Sequence, residues 1–244
     1  MKAEYIMDNK KQSEVYALIL SGGKGIRLGG DIPKQYIKVS DKPVIGYSLD
    51  TFEQHEKICG LFIVADESWQ DYLAGYIRKQ QITKFKGFAP AGVSRTHSIL
   101  NGLKVMRDNG IDDDAVVIVH DAARPNVSFD IIDGCISGME DSDCAMPVIP
   151  VKDTVYLSED HKTITSLLRR ADLCAGQAPE SVRLGQYYSL LVSKTDEELS
   201  AISGTSAVVF ESGLKVSLFQ GSEDNYKITT TADLEKFRKE NEEG

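Results

Sequence analysis

Val15-Tyr16-Ala17-Leu18-Ile19-Leu20-Ser21-Gly22-Gly23-Lys24-Gly25-Ile26-Arg27 is the stretch on which the fold turns. Val15 to Leu20 form an apolar run of strand length. Continuous rather than alternating hydrophobicity marks a strand covered on both faces, as in a parallel sheet. Three glycines follow at once. Glycine reaches positive φ without a steric cost and lets backbone N–H groups approach an anion. A loop at the carboxyl end of a parallel strand is where open α/β sheets bind ligands. An anion-binding loop is therefore expected after the first strand, with a tight turn carrying solvated charges as the plain alternative.

Outward from this stretch, Gly60 to Ala65 and Ala115 to His120 read as two more buried strands. Cys144 to Val151 and Leu214 to Phe219 are further candidates. Helical spacing with a polar face covers Pro43 to Phe52, Ser68 to Gln80 and Ser94 to Met106. Ser68 and Ser94 are expected to cap their helices, and Thr231-Ala232-Asp233-Leu234 to open a last helix in the same way. The alternation predicts an α/β fold, a Rossmann-like, mostly parallel sheet with helices on both faces. Pro150 to Asp172 differ, with β-branched residues, a turn-like segment from Ser158 to Lys162, and then two arginines. They read as an extended hairpin, a β-arm of about residues 150–172 that protrudes from the sheet. Such an arm needs a partner surface, so a homodimer is expected. The division that follows is a flexible N-terminus (1–14) and a single domain (15–244).

The 28 basic and 37 acidic residues give a net charge of −9. That balance argues against a general nucleic-acid surface, which needs a basic stripe to displace counterions. It does not argue against a nucleotide, for which a few local cations suffice. The first residues are polar and no apolar run reaches membrane-spanning length, so a cytoplasmic chain with no membrane partner is expected. The four cysteines form no CxxC pair and no Cys/His cluster. They read as buried reduced thiols.

Spacing excludes two familiar nucleotide loops. The dinucleotide fingerprint starting at Gly23 needs glycine where Leu28 stands, and a Walker loop needs Ser or Thr where Gly25 stands. What remains is a glycine loop followed by Arg27 and Lys34, two permanent cations. That combination suits a triphosphate attacked at its α-phosphate.

Together the motifs resemble one family. Leu20-Ser21-Gly22-Gly23-Lys24-Gly25-Ile26-Arg27-Leu28, Pro33-Lys34-Gln35-Tyr36 and Lys42-Pro43-Val44 look like the opening of the cytidylyltransferases that activate small polyol phosphates. His120-Asp121-Ala122-Ala123-Arg124-Pro125 is similar to the second signature of that family. Asp224-Asn225-Tyr226-Lys227-Ile228-Thr229, with Asp233-Leu234 after it, is similar to the third. The resemblance runs from about Val15 to Leu234. It implies a GT-A-like nucleotidyltransferase domain, CTP as substrate, Mg²⁺ and a dimerising arm. It also implies a product destined for isoprenoids (the methylerythritol phosphate branch) or for surface glycans such as teichoic acid or capsule (the ribitol phosphate branch).

By this resemblance Arg27, Lys34 and Lys227 are the catalytic cations at the α-phosphate and departing pyrophosphate. Leu20, Ser21, Gly22, Gly23, Gly25, Gly92, Ser98 and Asp121 would bind CTP, with Gly92 and Ser98 reading the cytosine. Asp121 could meet the ribose or Mg²⁺, or could be a structural cap; Asp224 is a second candidate for the metal. Arg124, Thr154 and Arg170 match positions that hold the acceptor phosphate, the last two across the dimer. Arg95 has two readings, a triphosphate ligand or a helix-surface salt bridge. His120 reads as a strand-end packing residue.

The sequence also departs from the family pattern. Ala91 stands in a usual Gly-Gly pair. Gln177-Ala178-Pro179-Glu180 replaces Gln-Thr-Pro-Gln, and no carboxylate occurs in Ser203-Gly204-Thr205-Ser206, where the family has an acidic pair. These last departures read as falling on acceptor recognition. Arg170 to Gln177, with Cys174 in place of a frequent tryptophan, leans towards the ribitol phosphate branch. Two other readings stay open. One is a CTP-binding family member without turnover. The other is a nucleotide-sugar glycosyltransferase, for which Asp112-Asp113-Asp114 spells a metal motif, although it precedes its strand and reads better as a solvated turn.

Overall fold

A computed structural model describes residues 13–23 and 32–242. The expectations for residues 1–12, Gly25 and Arg27 lie outside these. The first strand, β1 (Val15–Leu20), has the expected bounds. Around it stand β4 (Ile58–Ala65), β5 (Phe85–Pro90) and β6 (Val116–Asp121), all parallel, in the order β6–β1–β4–β5. A small pair, β2 (Lys38–Val39) and β3 (Lys42–Pro43), precedes β4. Past β6 the sheet continues through β11 (Glu180–Arg183), antiparallel to it, and then β7 (Cys144–Pro150). On β7, β12 (Val216–Gln220) pairs in parallel and β10 (Cys174–Gly176) antiparallel. The sheet is therefore mixed, with a mostly parallel centre flanked by helices, as the sequence predicts.

Helices cover both faces because the central strands are apolar on both. Val15, Ala17 and Ile19 pack with Ile45, Leu49 and Phe52 of α1 (Val44–Gln54), Leu73 and Ile77 of α2 (Glu67–Gln80), and Ile131 and Ile132 of α4 (Phe129–Ser137). Tyr16 and Leu18 face the other way. They meet Ile99, Leu103 and Met106 of α3 (Arg95–Asp108), while α5 (Leu184–Val192), α6 (Asp196–Ala201) and α7 (Thr205–Glu211) complete that layer. Gly102 makes the close approach possible, since a Cβ there would lie 2.5 Å from a Leu18 methyl. The last helix, α8 (Thr231–Glu242), seats Leu234 and Phe237 on Val39 and Val44.

Several sequence readings need correction. Ser94 caps α3 as expected, its hydroxyl accepting from His97 N. Ser68 does not cap α2; Asp66 does, accepting from Ser68 N at 3.1 Å. The ionised side chain placed two residues earlier is the better acceptor for the first free N–H groups. Of the four cysteines, Cys135 and Cys144 are buried but Cys59 and Cys174 are exposed, and all are free. Cys174 is exposed because β10 lies where the arm rejoins the sheet. The arm itself is a slight hairpin, β8 (Tyr156–Leu157) against β9 (Ser166–Leu167), followed by a short turn of 3-10 helix at Arg170–Asp172. Tyr156, Leu157, Ile164 and Leu167 are exposed on it. No helix among the described residues is long and apolar enough to cross a membrane.

The start of α8 rests on reciprocal hydrogen bonds, with Thr230 rather than Thr231 as the capping hydroxyl. Thr230 Oγ1 accepts from Asp233 N, and the Asp233 carboxylate accepts from Thr229 N and Thr230 N at 2.9 and 2.7 Å. Burial opposes the Asp233 charge, but these donors win and hold its pKa at about 2, below the ordinary 3.8. A depressed carboxylate stabilises the fold fully above its unfolded pKa and ceases to do so as pH falls through its folded one. Asp233→Asn should cost about 1 kcal/mol at neutral pH. The gap to wild type should close between about pH 4 and pH 2, read by thermal unfolding across that window.

Candidate active site

The glycine loop leaves β1 at its carboxyl end, and the protein grips it from behind. Ser21 N and Ser21 Oγ both donate to Val64 O at 2.8 Å, tying the loop to β4. Gln35 Nε2 donates to Ser21 O at 2.6 Å and to Gly23 O at 2.7 Å, and Tyr36 Oη donates to Ser21 O at 3.1 Å. The carbonyls of the loop are thus engaged on the protein side, while Gly22 and Gly23 line a cleft of about 900 Å³. Leu20, Lys34, Gly92, Ser98, Asp121 and Lys227 line the same cleft. Residues from five separated segments meet there because the parallel strands β5, β4, β1 and β6 lie side by side, so their carboxyl ends and the loops beyond them share one edge.

Gly92 and Ser98 touch: Gly92 N donates to Ser98 Oγ at 3.0 Å. A Cβ on Gly92 would fall 2.6 Å from the His97 carbonyl carbon and 2.7 Å from Ser98 N, so only glycine lets this segment lie on the start of α3. Val93, at the same lip, is 90% exposed.

Asp121 ends β6, and its side chain is only 12% exposed. Arg95 Nε donates to its Oδ1 at 3.1 Å, and Lys227 Nζ to its Oδ2 at 2.7 Å. Burial alone would raise this carboxyl, but the two cations hold it well below the usual carboxylate range. Lys227 reaches the site because its segment is sewn to the rest: Ile228 N donates to Ala123 O and Asn225 Nδ2 to Ala178 O, each at 2.8 Å. Arg95 lies in a buried network, not on a helix surface, and lines the cleft. His120 is fully buried, and its Nε2 donates to Arg124 O at 3.0 Å. Burial pushes its pKa down to about 4, so it is neutral at pH 7 and acts as packing.

Other proposed residues are not gathered in the cleft. Arg124 sits beside it, Nη1 donating to Asn225 O at 2.5 Å and N to Asp121 O at 2.9 Å, with Nε lacking a partner among the described residues. Thr154 and Arg170 are exposed on the arm, where Arg170 Nη1 donates to Lys152 O at 2.8 Å. Asp224 is exposed and does not line the cleft, which removes it from the immediate surroundings of Asp121. Its backbone N donates to Ser222 Oγ, an arrangement that turns the loop outward. Among the described residues no group of three acidic, histidine or cysteine side chains could cage a metal. Asp112, Asp113 and Asp114 are exposed ahead of β6, at the opposite end of that strand from Asp121. There Asp112 Oδ1 accepts from Asp114 N.

Sequence reasoning did not single out Gln35 and Tyr36 as loop supports, nor Asp66 as a cleft-lining residue, whereas Ala91 and Ser94 line the cleft within the segment of Gly92 and Ser98. For Gln35 the signal was present in its place beside Lys34; for Asp66 the strand-end position just after Ala65 was the clue.

Gly22 and Ala91 face each other across the floor of the cleft. A Cβ on Gly22 would lie 2.5 Å from Ala91 Cβ and 3.4 Å from Ala91 Cα. Gly22→Ala should therefore destabilise the protein by about 1–3 kcal/mol through overpacking. Adding Ala91→Gly should recover most of that loss, as read by denaturant unfolding of the single and double variants.

The family model described as IspD, 2-C-methyl-D-erythritol 4-phosphate cytidylyltransferase, matches residues 15–238. A ribitol-5-phosphate cytidylyltransferase of Lacticaseibacillus paracasei is 31% identical, over 92% of this chain and 96% of its own. A 2-C-methyl-D-erythritol 4-phosphate cytidylyltransferase of Clostridium tetani is 33% identical, over 92% and 89%. The crystal structure of the corresponding enzyme of Francisella tularensis superposes with a TM-score of 0.77 at 27% identity, covering 92% of this chain and 98% of that one. The three motifs that converge on Asp121 therefore sit in a chain that belongs, over nearly its whole length, to the IspD family of cytidylyltransferases, and it is a nucleotidyltransferase.

Proposed function

We propose that the chain transfers CMP from CTP to the phosphate of a small polyol phosphate, releasing pyrophosphate and a CDP-polyol. Ribitol 5-phosphate is the acceptor favoured here, and 2-C-methyl-D-erythritol 4-phosphate the second. The observation that carries the transfer is the 2.7 Å contact of Lys227 with Asp121, opposite the glycine loop and Lys34. The obstacle to in-line attack is charge. Like charges about 4 Å apart repel by roughly 4 kcal/mol per unit pair at an effective dielectric near 20. Cations fixed in place by Asp121 and the sheet offset this without reorganising as the reaction proceeds. Holding the two substrates in line removes a further 7–11 kcal/mol or so of barrier. No protein nucleophile is needed.

Mg²⁺ would arrive on the triphosphate, and the Asp121 carboxylate, whose two oxygens accept from Arg95 and Lys227, would have to yield one of these contacts to hold it. When bound it would supply neutralisation of phosphate oxygens. Support for the ribitol acceptor comes from the segment Arg170 to Gln177 with Cys174, and from relatives named for that activity. Arg124, Thr154 and Arg170 are the proposed acceptor residues, since a guanidinium fork suits a phosphate. Thr154 and Arg170 would act in the cleft of a second copy, which would also cover Tyr156, Leu157, Ile164 and Leu167.

Pyrophosphate release from CTP across a panel of C4 and C5 polyol phosphates tests this reading, with the highest kcat/KM expected for ribitol 5-phosphate. A preference for the methylerythritol phosphate would reverse the acceptor. Calorimetric binding of CTP without turnover on any acceptor would favour a non-catalytic family member instead. Lys227→Ala and Lys34→Ala should each lower kcat/KM by about 10²-fold or more, the usual loss on removing one stabiliser of transition-state charge.

A further inference from the structure

Glu180 is a buried carboxylate that the transfer itself does not use. It is 5% exposed and opens β11, directly opposite Val119 of β6. Opposed residues of an antiparallel pair point to the same face, and so do residues two apart on one strand. Glu180 therefore shares the face of Asp121, under α3. Three donors converge on it: Ser206 N at 2.6 Å, Thr205 N at 3.2 Å and Arg95 Nη2 at 3.5 Å. Arg95 is thereby held at three of its N–H groups, by Asp121 through Nε, by the buried Thr205 hydroxyl through Nη1 at 3.1 Å, and by Glu180 through Nη2. It is at once a cleft wall and the partner of two carboxylates.

The distances rank what Glu180 does. Its backbone bonds to the start of α7 are the short ones, and its contact with Arg95 is the long one. Geometry at Arg95 is set chiefly by Asp121 and Thr205, so the main effect of Glu180 on the guanidinium is charge. Around Asp121, three cations (Arg95, Arg124 and Lys227) are matched by two carboxylates, and Glu180 is one of them. Glu180 does not itself line the cleft, so removing its charge acts there by leaving the Arg95 guanidinium freer to turn to an anion.

We propose that Glu180 is a positioning residue acting through Arg95, which restrains the guanidinium and so limits how tightly the cleft holds polyphosphate, favouring release of pyrophosphate. The proposal rests on the CTP-dependent reading above and adds to it a determinant of product release. Binding energy that strengthens ground state and product alike lowers KM without raising kcat. A weakened scaffold at α7 would do the reverse and loosen binding.

The test is Glu180→Gln in the full chain, with calorimetry for CTP and for pyrophosphate, steady-state turnover and a melting curve. The expected result is binding of both anions about tenfold tighter, as the Arg95 Nη2 released from Glu180 turns to the anion. KM for CTP should fall in step while kcat falls severalfold. In an Arg95→Met background the tightening should shrink to less than twofold. Thr205→Val, which removes only the hydroxyl partner of Arg95 and leaves the buried carboxylate in place, should tighten binding by a smaller factor and serves if Glu180→Gln melts too low. Unchanged or weaker anion binding in a folded Glu180→Gln variant overturns the proposal, as does a tightening that persists in the Arg95→Met background. A wild-type chain that binds no CTP would instead remove the CTP-dependent reading, and the proposal with it.

Discussion

A buried carboxylate cannot stay ionised in a protein interior unless cations reach it. Asp121 is such a group, and the arrangement of the cleft follows from satisfying it. It terminates the strand next to β1, so its charge appears where the glycine loop begins. Arg95 must come from the first turn of α3, and Lys227 from a segment 106 residues further along the chain. To deliver Lys227, the segment before α8 is pinned to Ala123 and Ala178. A pair of cations assembled around a carboxylate also puts two positive charges on the wall of the cleft. Much of what stabilises the site is therefore the same set of contacts that suits it to a polyanion.

The sheet makes this economical. Because β1, β4 and β6 run parallel, their carboxyl ends place the loop of Ser21, the start of α2 at Asp66 and the Asp121 carboxylate along one edge. The antiparallel β11 then slots beside β6 and lays a second carboxylate on the same face as the first. The two buried carboxylates at this edge, Asp121 and Glu180, each have a specific set of donors.

How much of this was legible in the sequence depended on the range of the interaction. The run Val15 to Leu20 is local, and the strand was readable from it. Ser94 as a cap was equally local. Ser68 failed because Asp66, two residues earlier, competes for the same N–H, and local preference alone does not rank the two. The strand Phe85–Pro90 went unread because Gly87 and Pro90 weaken its pattern; it is tolerated as the edge strand of the sheet beyond β4. The meeting of Lys227 with Asp121 could be anticipated only through resemblance, since no periodicity links such distant positions. Glu180 was read as a feature of the acceptor side because its sequence neighbours suggested it. Strand register, which the sequence does not spell out, sets it instead beside Arg95.

The arm is closed at its root. β7 ends at Pro150 and β10 begins at Cys174, and these two residues are paired across an antiparallel ladder. Everything between them is a loop whose ends are already joined, so lengthening or shortening it changes closure entropy only slowly. Beyond its root the arm reaches the body through Lys152, whose Nζ donates to Glu223 at 2.5 Å. The composition and length of residues 151–173 can thus change while the ladder that joins their ends stays as it is. In mechanical terms the protein is a fixed engine with an interchangeable grip.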